Sequence, residues 1–371
     1  MKILSVETFP YGKKRVIIRV TTDEGVSGWG DATPLTSFTG ETQGSIMAAI
    51  ENYLKPTILN ENPLEIGKLS EKLNKLPWNM AAKAGIEMAL FDIAGKVFKA
   101  PVYSLLGGKH HEKLLQAIAI GKKFKESIDE VAREAEESIK MGFQLVKVKI
   151  GRKYGIGFDE DYKRVQAVAD TIRGYARFWV DCQAAYSPQE ALKVAKKIEK
   201  FDPIYIEQPT PDIEGMAEVR RRISIPLLAD ESVFSPRDAL EVIRRRAADA
   251  IGIKFAKCGG ILAAKKISEI AEAYGLECIM ISPGETNIGL AAYLHVAASS
   301  KNISICNFPL KPQEDWLTPL EIDRSRMISV PKGAGLGIEV LKEVPKEASW
   351  EFEDFLSQTS KHAENFHYIQ K

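Results

Sequence analysis

From residue 114 onward one pattern recurs along the chain: a short β-branched apolar run, then a stretch of helical period. The strand candidates are LLQAIAI (114–120), QLVKVKI (144–150), RFWVD (177–181), PIYIE (203–207), PLLAD (226–230), AIGIK (250–254), ECIMIS (277–282) and ISICN (303–307). The second to eighth runs end at 150, 181, 207, 230, 254, 282 and 307, in steps of 31, 26, 23, 24, 28 and 25 residues. One strand plus one return helix needs about that much chain, so successive strands lie parallel. Eight such strands close into a barrel. An open doubly wound sheet is the alternative, but it would bring a glycine-rich phosphate turn after its first strand, and the sequence has none.

Asn307 is followed by the proline-rich FPLKPQEDWLTPL, so the eighth strand is expected to lack its helix and the fold to be α/β, a (β/α)7β barrel. Ahead of it, 2–9 and 14–22 read as strands with a DEG turn at 23–25. Helical period follows from Glu41, at 64–75 and at 80–98, until Gly107-Gly108 stops it. The expected organisation is an α+β unit at 1–112, the barrel at 113–325, and a C-terminal segment at 326–371 packing back on the first unit.

The 51 basic and 50 acidic side chains give a net charge of +1, which advertises neither nucleic acid nor an anionic membrane. No apolar stretch approaches the roughly 20 residues of a membrane span. The N-terminal apolar run is short and broken by Glu7, so no signal peptide is read there. Cys182, Cys258, Cys278 and Cys306 have no CxxC spacing and read as buried thiols of a reducing compartment, hence a cytoplasmic protein.

Charge interrupts these apolar runs at their ends, where it costs desolvation unless partnered or employed. Asp181, Glu207 and Asp230 terminate three consecutive strands, so their carboxylates converge on the C-terminal mouth, the active face of such barrels. Three carboxylates that close repel one another unless a cation lies between them. Oxygen ligands without histidine or cysteine argue for Mg²⁺, with Mn²⁺ as a substitute. Lys147 and Lys149 are two apart and point the same way; side by side they are expected to depress each other's pKa, freeing one as a base. Lys254 ends the sixth strand, opposite the second in an eightfold ring. Lys257 falls in the loop by this register, so Lys254 is preferred. A carboxylate substrate held on the cation would then have Lys149 on one face and Lys254 on the other. A neutral lysine would remove the α-proton, giving an enediolate stabilised by the surrounding positive charge.

Together, GWGDA (28–32), TGETQGS (39–45), AKAGIEMALFDIAGK (82–96), LLGG (105–108), KVK (147–149), VDCQ (180–183), IEQP (206–209), ADES (229–232), IKFAKCGG (253–260) and GLGIE (335–339) resemble the enolase superfamily. The likeness is to the muconate lactonizing subgroup of the mandelate racemase/muconate lactonizing enzyme family, and it covers nearly the full length. It implies an α+β capping domain on a (β/α)7β barrel, metal ligands at Asp181, Glu207 and Asp230, acid/base lysines at Lys149 and Lys254, and Lys147 as an auxiliary cation. TGETQGS and ADESVFSPRDA are similar to dipeptide epimerases. Four departures matter. Gln183 stands where the family has Asn. ISPGET after the seventh strand has no histidine, which excludes the mandelate racemase mechanism. Asn307 and Pro309 stand where dipeptide epimerases carry an Asp-x-Asp for the substrate ammonium, and the YGKKR turn (11–15) is shorter than in relatives.

The expected activity is therefore Mg²⁺-dependent racemisation or epimerisation next to a carboxylate, in an N-acyl amino acid or dipeptide-like substrate. A muconate-type cycloisomerase, an o-succinylbenzoate synthase-like syn-dehydratase and an inactive ligand-binding barrel are the alternatives. Gln183, Glu231, Glu285 and Asn307 are expected beside the substrate. The expected partner is a small-molecule carboxylate, with no nucleic acid or membrane; a homo-oligomer is compatible with the sequence.

Overall fold

The structure, a computed structural model, describes residues 1–123, 125–151, 158–309 and 314–345. The N-terminal unit is an antiparallel sheet of β1 (Ile3–Tyr11), β2 (Arg15–Thr22) and β3 (Ser27–Ala32) in that order. Against it lies the helix Met80–Val97, in which every residue from Ala81 to Gly95 is buried. Contact is close because Gly30 has no side chain: a Cβ there would sit 1.8 Å from the Gly85 carbonyl oxygen.

The barrel strands are β4 (Lys113–Ile120), β5 (Leu145–Lys149), β6 (Arg177–Asp181), β7 (Ile206–Glu207), β8 (Leu227–Ala229), β9 (Ala250–Ile253), β10 (Glu277–Ile281) and β11 (Ile305–Asn307). They pair in sequence order, all parallel, and β11 returns to β4 to close the ring. All eight lie within or beside the runs read from sequence. The fourth is shorter than PIYIE suggests, although Ile204 and Tyr205 still bond to β6. Among the described residues, helices at 128–140, 158–172, 188–198, 213–220, 236–245, 261–273 and 287–298 follow the first seven strands, and none follows β11.

Register explains the site. Lys149 pairs with Asp181, Asp181 with Glu207, and Glu207 with Leu228. Side chains two apart share a face. Counting along the strands by twos, Leu145, Trp179, Tyr205, Leu228 and Ala250 fall in one apolar cluster inside the barrel. Further along the same inward face come Lys147, Lys149, Asp181, Glu207, Asp230 and Lys254. The interior is thus apolar at one end and ionic at the C-terminal mouth.

β12 (Met327–Ser329) pairs antiparallel with β4. The chain then reaches the cap: Val102 N–H donates to Gly335 O at 3.0 Å, and Leu336 N–H to Asp92 Oδ1 at 2.9 Å. The rest of the expected C-terminal segment, from 346, lies outside the described residues, as does part of the loop after Asn307.

Candidate active site

Lys149 Nζ pairs with Asp181 Oδ2. Lys147 Nζ lies between Asp181 Oδ2, at 3.1 Å, and Glu207 Oε1, at 3.2 Å. The indole N–H of Trp179 donates to Glu207 Oε2 at 2.8 Å. Across the mouth Lys254 Nζ meets Asp230 Oδ2, and Lys257 Nζ holds Asp230 Oδ1 at 2.7 Å. Among the described residues no group of three or more acids, imidazoles or thiols is drawn together tightly enough to hold a metal ion. The four ammonium groups hold the carboxylate oxygens instead.

The charges set each other's proton affinity. Burial would raise Asp181 and Asp230, but Lys149 and Lys147 on the first, and Lys254 and Lys257 on the second, hold both well below the ordinary carboxylate value. Glu207 is pushed up to about 8 by burial and by the Asp181 charge. Burial alone would lower Lys147, yet Glu207, Asp181 and Asp230 carry it above its ordinary value. The expected mutual depression of Lys147 and Lys149 is therefore reversed for Lys147. The cross-strand acids outweigh the neighbouring ammonium.

Glu231 follows Asp230 at the same strand end, and both its carboxylate oxygens are buried without a hydrogen-bond partner among the described residues. Burial, with the charges of Asp230 and Asp181, pushes it up to about 7. A buried acid beside three others, with no donor among the described residues, lacks a partner of its own. With an all-oxygen donor set, that deficit fits a hard divalent cation.

The other expected residues are spread round the mouth. Gln183 has a left-handed backbone, φ 47°, and its N–H donates to Asp181 Oδ1 at 3.0 Å, fixing that carboxylate. Glu285, after β10, accepts from Tyr293 Oη at 3.1 Å and from Ser282. Burial, then the Asp31 charge, pushes it up to about 7. Tyr293 Oη in turn accepts the Phe255 N–H at 2.8 Å, beside Lys254. Asn307 Nδ2 donates to Ala117 O at 3.1 Å.

The cap closes on this mouth. Lys14, in the short hairpin turn, donates to Pro283 O at 2.8 Å and Arg15 to Gly284 O at 2.5 Å. The Phe38 ring lies 5.3 Å from Lys254 Nζ. Asp31 accepts from both the N–H and the hydroxyl of Thr286, the N-cap of the helix 287–298.

Sequence reasoning passed over Lys257, Trp179 and Gln208. Gln208 Oε1 accepts from Asp230 N–H at 3.0 Å and Ser232 N–H at 3.1 Å, holding the turn that carries Asp230. For Lys257 a signal existed: a second lysine three residues on, in an apolar run ending at Gly259-Gly260, fits one helical turn folding back under the strand end.

A closed parallel barrel with a sheet-and-helix cap and its ionic groups at the C-terminal strand ends is the layout of a barrel enzyme. Comparison with known proteins makes this specific. Residues 3–107 match the mandelate racemase/muconate lactonizing enzyme N-terminal domain, and 130–344 the enolase C-terminal domain-like model. The L-Ala-D/L-Glu epimerase of Bacillus subtilis is 36% identical over 88% of this chain and 90% of its own. A substrate-liganded structure of that enzyme superposes with a TM-score of 0.83, at 34% identity over 91% of this chain and 99% of its own. The N-succinyl-L-Arg/Lys racemase of Bacillus cereus is 32% identical over 90% and 89% of the two chains. The chloromuconate cycloisomerase of Cupriavidus pinatubonensis is 33% identical over 88% of each. The chain belongs to the mandelate racemase/muconate lactonizing enzyme family of the enolase superfamily. These relatives are isomerases, and the protein is an enzyme of that kind.

Proposed function

We propose that the protein is a Mg²⁺-dependent racemase or epimerase that abstracts the proton next to a substrate carboxylate, acting on an N-acyl amino acid or dipeptide-like molecule. The observation that carries this is the pair of inward lysines on strands two and six of eight, with Asp181, Glu207 and Asp230 between them. Mg²⁺, or Mn²⁺, held by those three acids would supply the positive charge that acidifies the α-hydrogen of a bound carboxylate.

The chain's own groups divide the proton work. Lys149, as the neutral amine, takes the α-proton: the C–H bond breaks, an N–H bond forms, and the electron pair passes into the carboxylate as an enediolate. Lys254, as ammonium, returns a proton to the opposite face of that carbon, and the roles exchange for the other enantiomer. Lys147, kept protonated by Asp181 and Glu207, supplies fixed positive charge beside the developing oxyanion. Gln183, Glu231 and Glu285 border the mouth. With Asn307 ending the eighth strand and Pro309 just beyond it, no carboxylate pair stands at these two positions to take a free α-ammonium, which supports an acylated amine. Buried free thiols at Cys182, Cys258, Cys278 and Cys306 support a cytoplasmic setting, and no described helix is long and apolar enough to cross a membrane.

The test is α-proton exchange in deuterium oxide with N-acyl amino acids and dipeptides, with Mg²⁺ present. Two-base chemistry expects Lys149→Ala to lose exchange with one enantiomer and Lys254→Ala with the other. If no carboxylate acquires label, the proposal fails. The chloromuconate cycloisomerase among the relatives favours one second reading, a cycloisomerase in which a single lysine carries the proton. It is selected if only one of the two variants loses exchange.

A further inference from the structure

The oxygens of Asp230 are divided between two lysines. Lys254 meets Oδ2. Lys257 takes Oδ1 at 2.7 Å, the backbone carbonyl of Asp230, and the carbonyl of Gly252 at 3.3 Å. Three acceptors use all three protons of an ammonium group. Lys257 is fixed there by the helical turn Phe255–Cys258, closed by Lys257 N–H to Lys254 O at 3.0 Å and ended by Gly259 at φ 91°.

Lys257 is 0% exposed, whereas Lys254 keeps 6%. A wholly buried ammonium carries a desolvation cost that an apolar side chain would avoid. With every proton committed and no path to solvent, Lys257 cannot deliver a proton to a substrate. Its bonds all point at the segment that carries Asp230 and at the strand beneath it.

We propose that Lys257 is a positioning residue that pins Asp230 through Oδ1 and its carbonyl, so that Oδ2 alone is presented to the mouth. The inference rests on the metal-assisted reading above. It follows that Lys254 and the cation compete for one and the same oxygen, whereas Lys257 works in favour of the cation. Two lysines on one carboxylate then have opposite effects on metal affinity, a pattern that simple charge counting does not give.

The test is calorimetric titration of the full chain with Mn²⁺ alone, comparing wild type with Lys257→Met, Lys257→Arg and Lys254→Met. Lys257→Met is expected to weaken binding about 10- to 100-fold, the usual effect of losing a group that orients a metal ligand. Lys257→Arg, which still donates to two acceptors, is expected to recover part of it. Lys254→Met is expected to bind as tightly as wild type or more so. At saturating Mn²⁺, Lys257→Met is expected to regain α-proton exchange with both enantiomers and Lys254→Met to remain unable to exchange one of them. Wild-type affinity in Lys257→Met overturns the inference, as does unchanged affinity with lost exchange. If the methionine variant does not fold, by circular dichroism, the arginine variant carries the comparison: wild-type affinity together with lost exchange in it overturns the inference. Failure of wild type to take up any cation removes the metal-assisted reading itself, and the role of Lys257 with it; uptake by wild type with no effect of Lys257→Met removes only the role of Lys257.

Discussion

Lowering the pH from 7 to 5 should cost this fold about 2 kcal/mol through a single side chain, His295. Its ring is wholly buried in the helix 287–298. Nδ1 accepts the Tyr103 N–H at 3.3 Å, which assigns the remaining ring proton to Nε2, and that N–H donates to Leu336 O at 3.1 Å. A second proton would have to go on Nδ1, facing a donor. Burial accordingly pulls the group from 6.5 to about 4. The sign follows from linkage: the unfolded chain binds a proton below its own pKa of 6.5, the folded chain refuses it until about 4, so stability falls as pH falls through that window. Over the whole window the loss is about 3 kcal/mol, at roughly 1.36 kcal/mol per unit. Between pH 7 and 5 it comes to about 2 kcal/mol on the same basis. The assay is urea unfolding at both pH values, of wild type and of His295→Gln. The glutamine can accept from Tyr103 and donate to Leu336 but does not titrate in this range. Subtracting the two pH dependences removes the contribution of every other group. Equal losses of stability in the two proteins between pH 7 and 5 would show that His295 does not carry this pH dependence.

Glu87, buried in the cap helix, accepts from Leu262 N–H at 3.0 Å, in the first turn of a barrel helix, and from Ser70 at 2.6 Å. Glu87→Ala strands both donors, so a loss of about 2–3 kcal/mol is expected in denaturant unfolding, against which a loss under 0.5 would count. Chelation should silence the enzyme without unfolding it, because lysines already partner Asp181, Glu207 and Asp230. In a thermal melt, Mg²⁺ at about a hundred times its Kd should add roughly 2.7 kcal/mol, a shift of a few degrees, and unfolding in EDTA at 25 °C would contradict the arrangement.

The barrel was legible because strand and helix alternate in period, and because each parallel strand, buried on both faces, reads as a continuous apolar run. The docking of the cap was not. Asp31 reaches Thr286 across 255 residues, and Glu87 reaches Leu262 across 175. Each cap acid serves the start of a barrel helix, and nothing local in either segment shows it. The helix Met80–Val97, buried all round, likewise has little amphipathic stripe to say which neighbour it packs on.

At the site, charge at the end of an apolar strand is visible in the sequence, whereas a deciding neighbour that comes from another strand is not. Along the chain Lys147 has only Lys149 for a charged neighbour at close range, which argues for a lowered pKa; in the barrel it has Asp181 and Glu207, which raise it. A strand register puts Lys257 in the loop and does not show the helical turn that folds it back under Asp230. Both cases have the same origin. The desolvation cost of a buried charge is written in its own sequence context, but its compensation is written on β6, β7 and β8. A lysine in a β-branched run is therefore strong evidence that an acid waits elsewhere in the fold, and weak evidence about which way its proton goes.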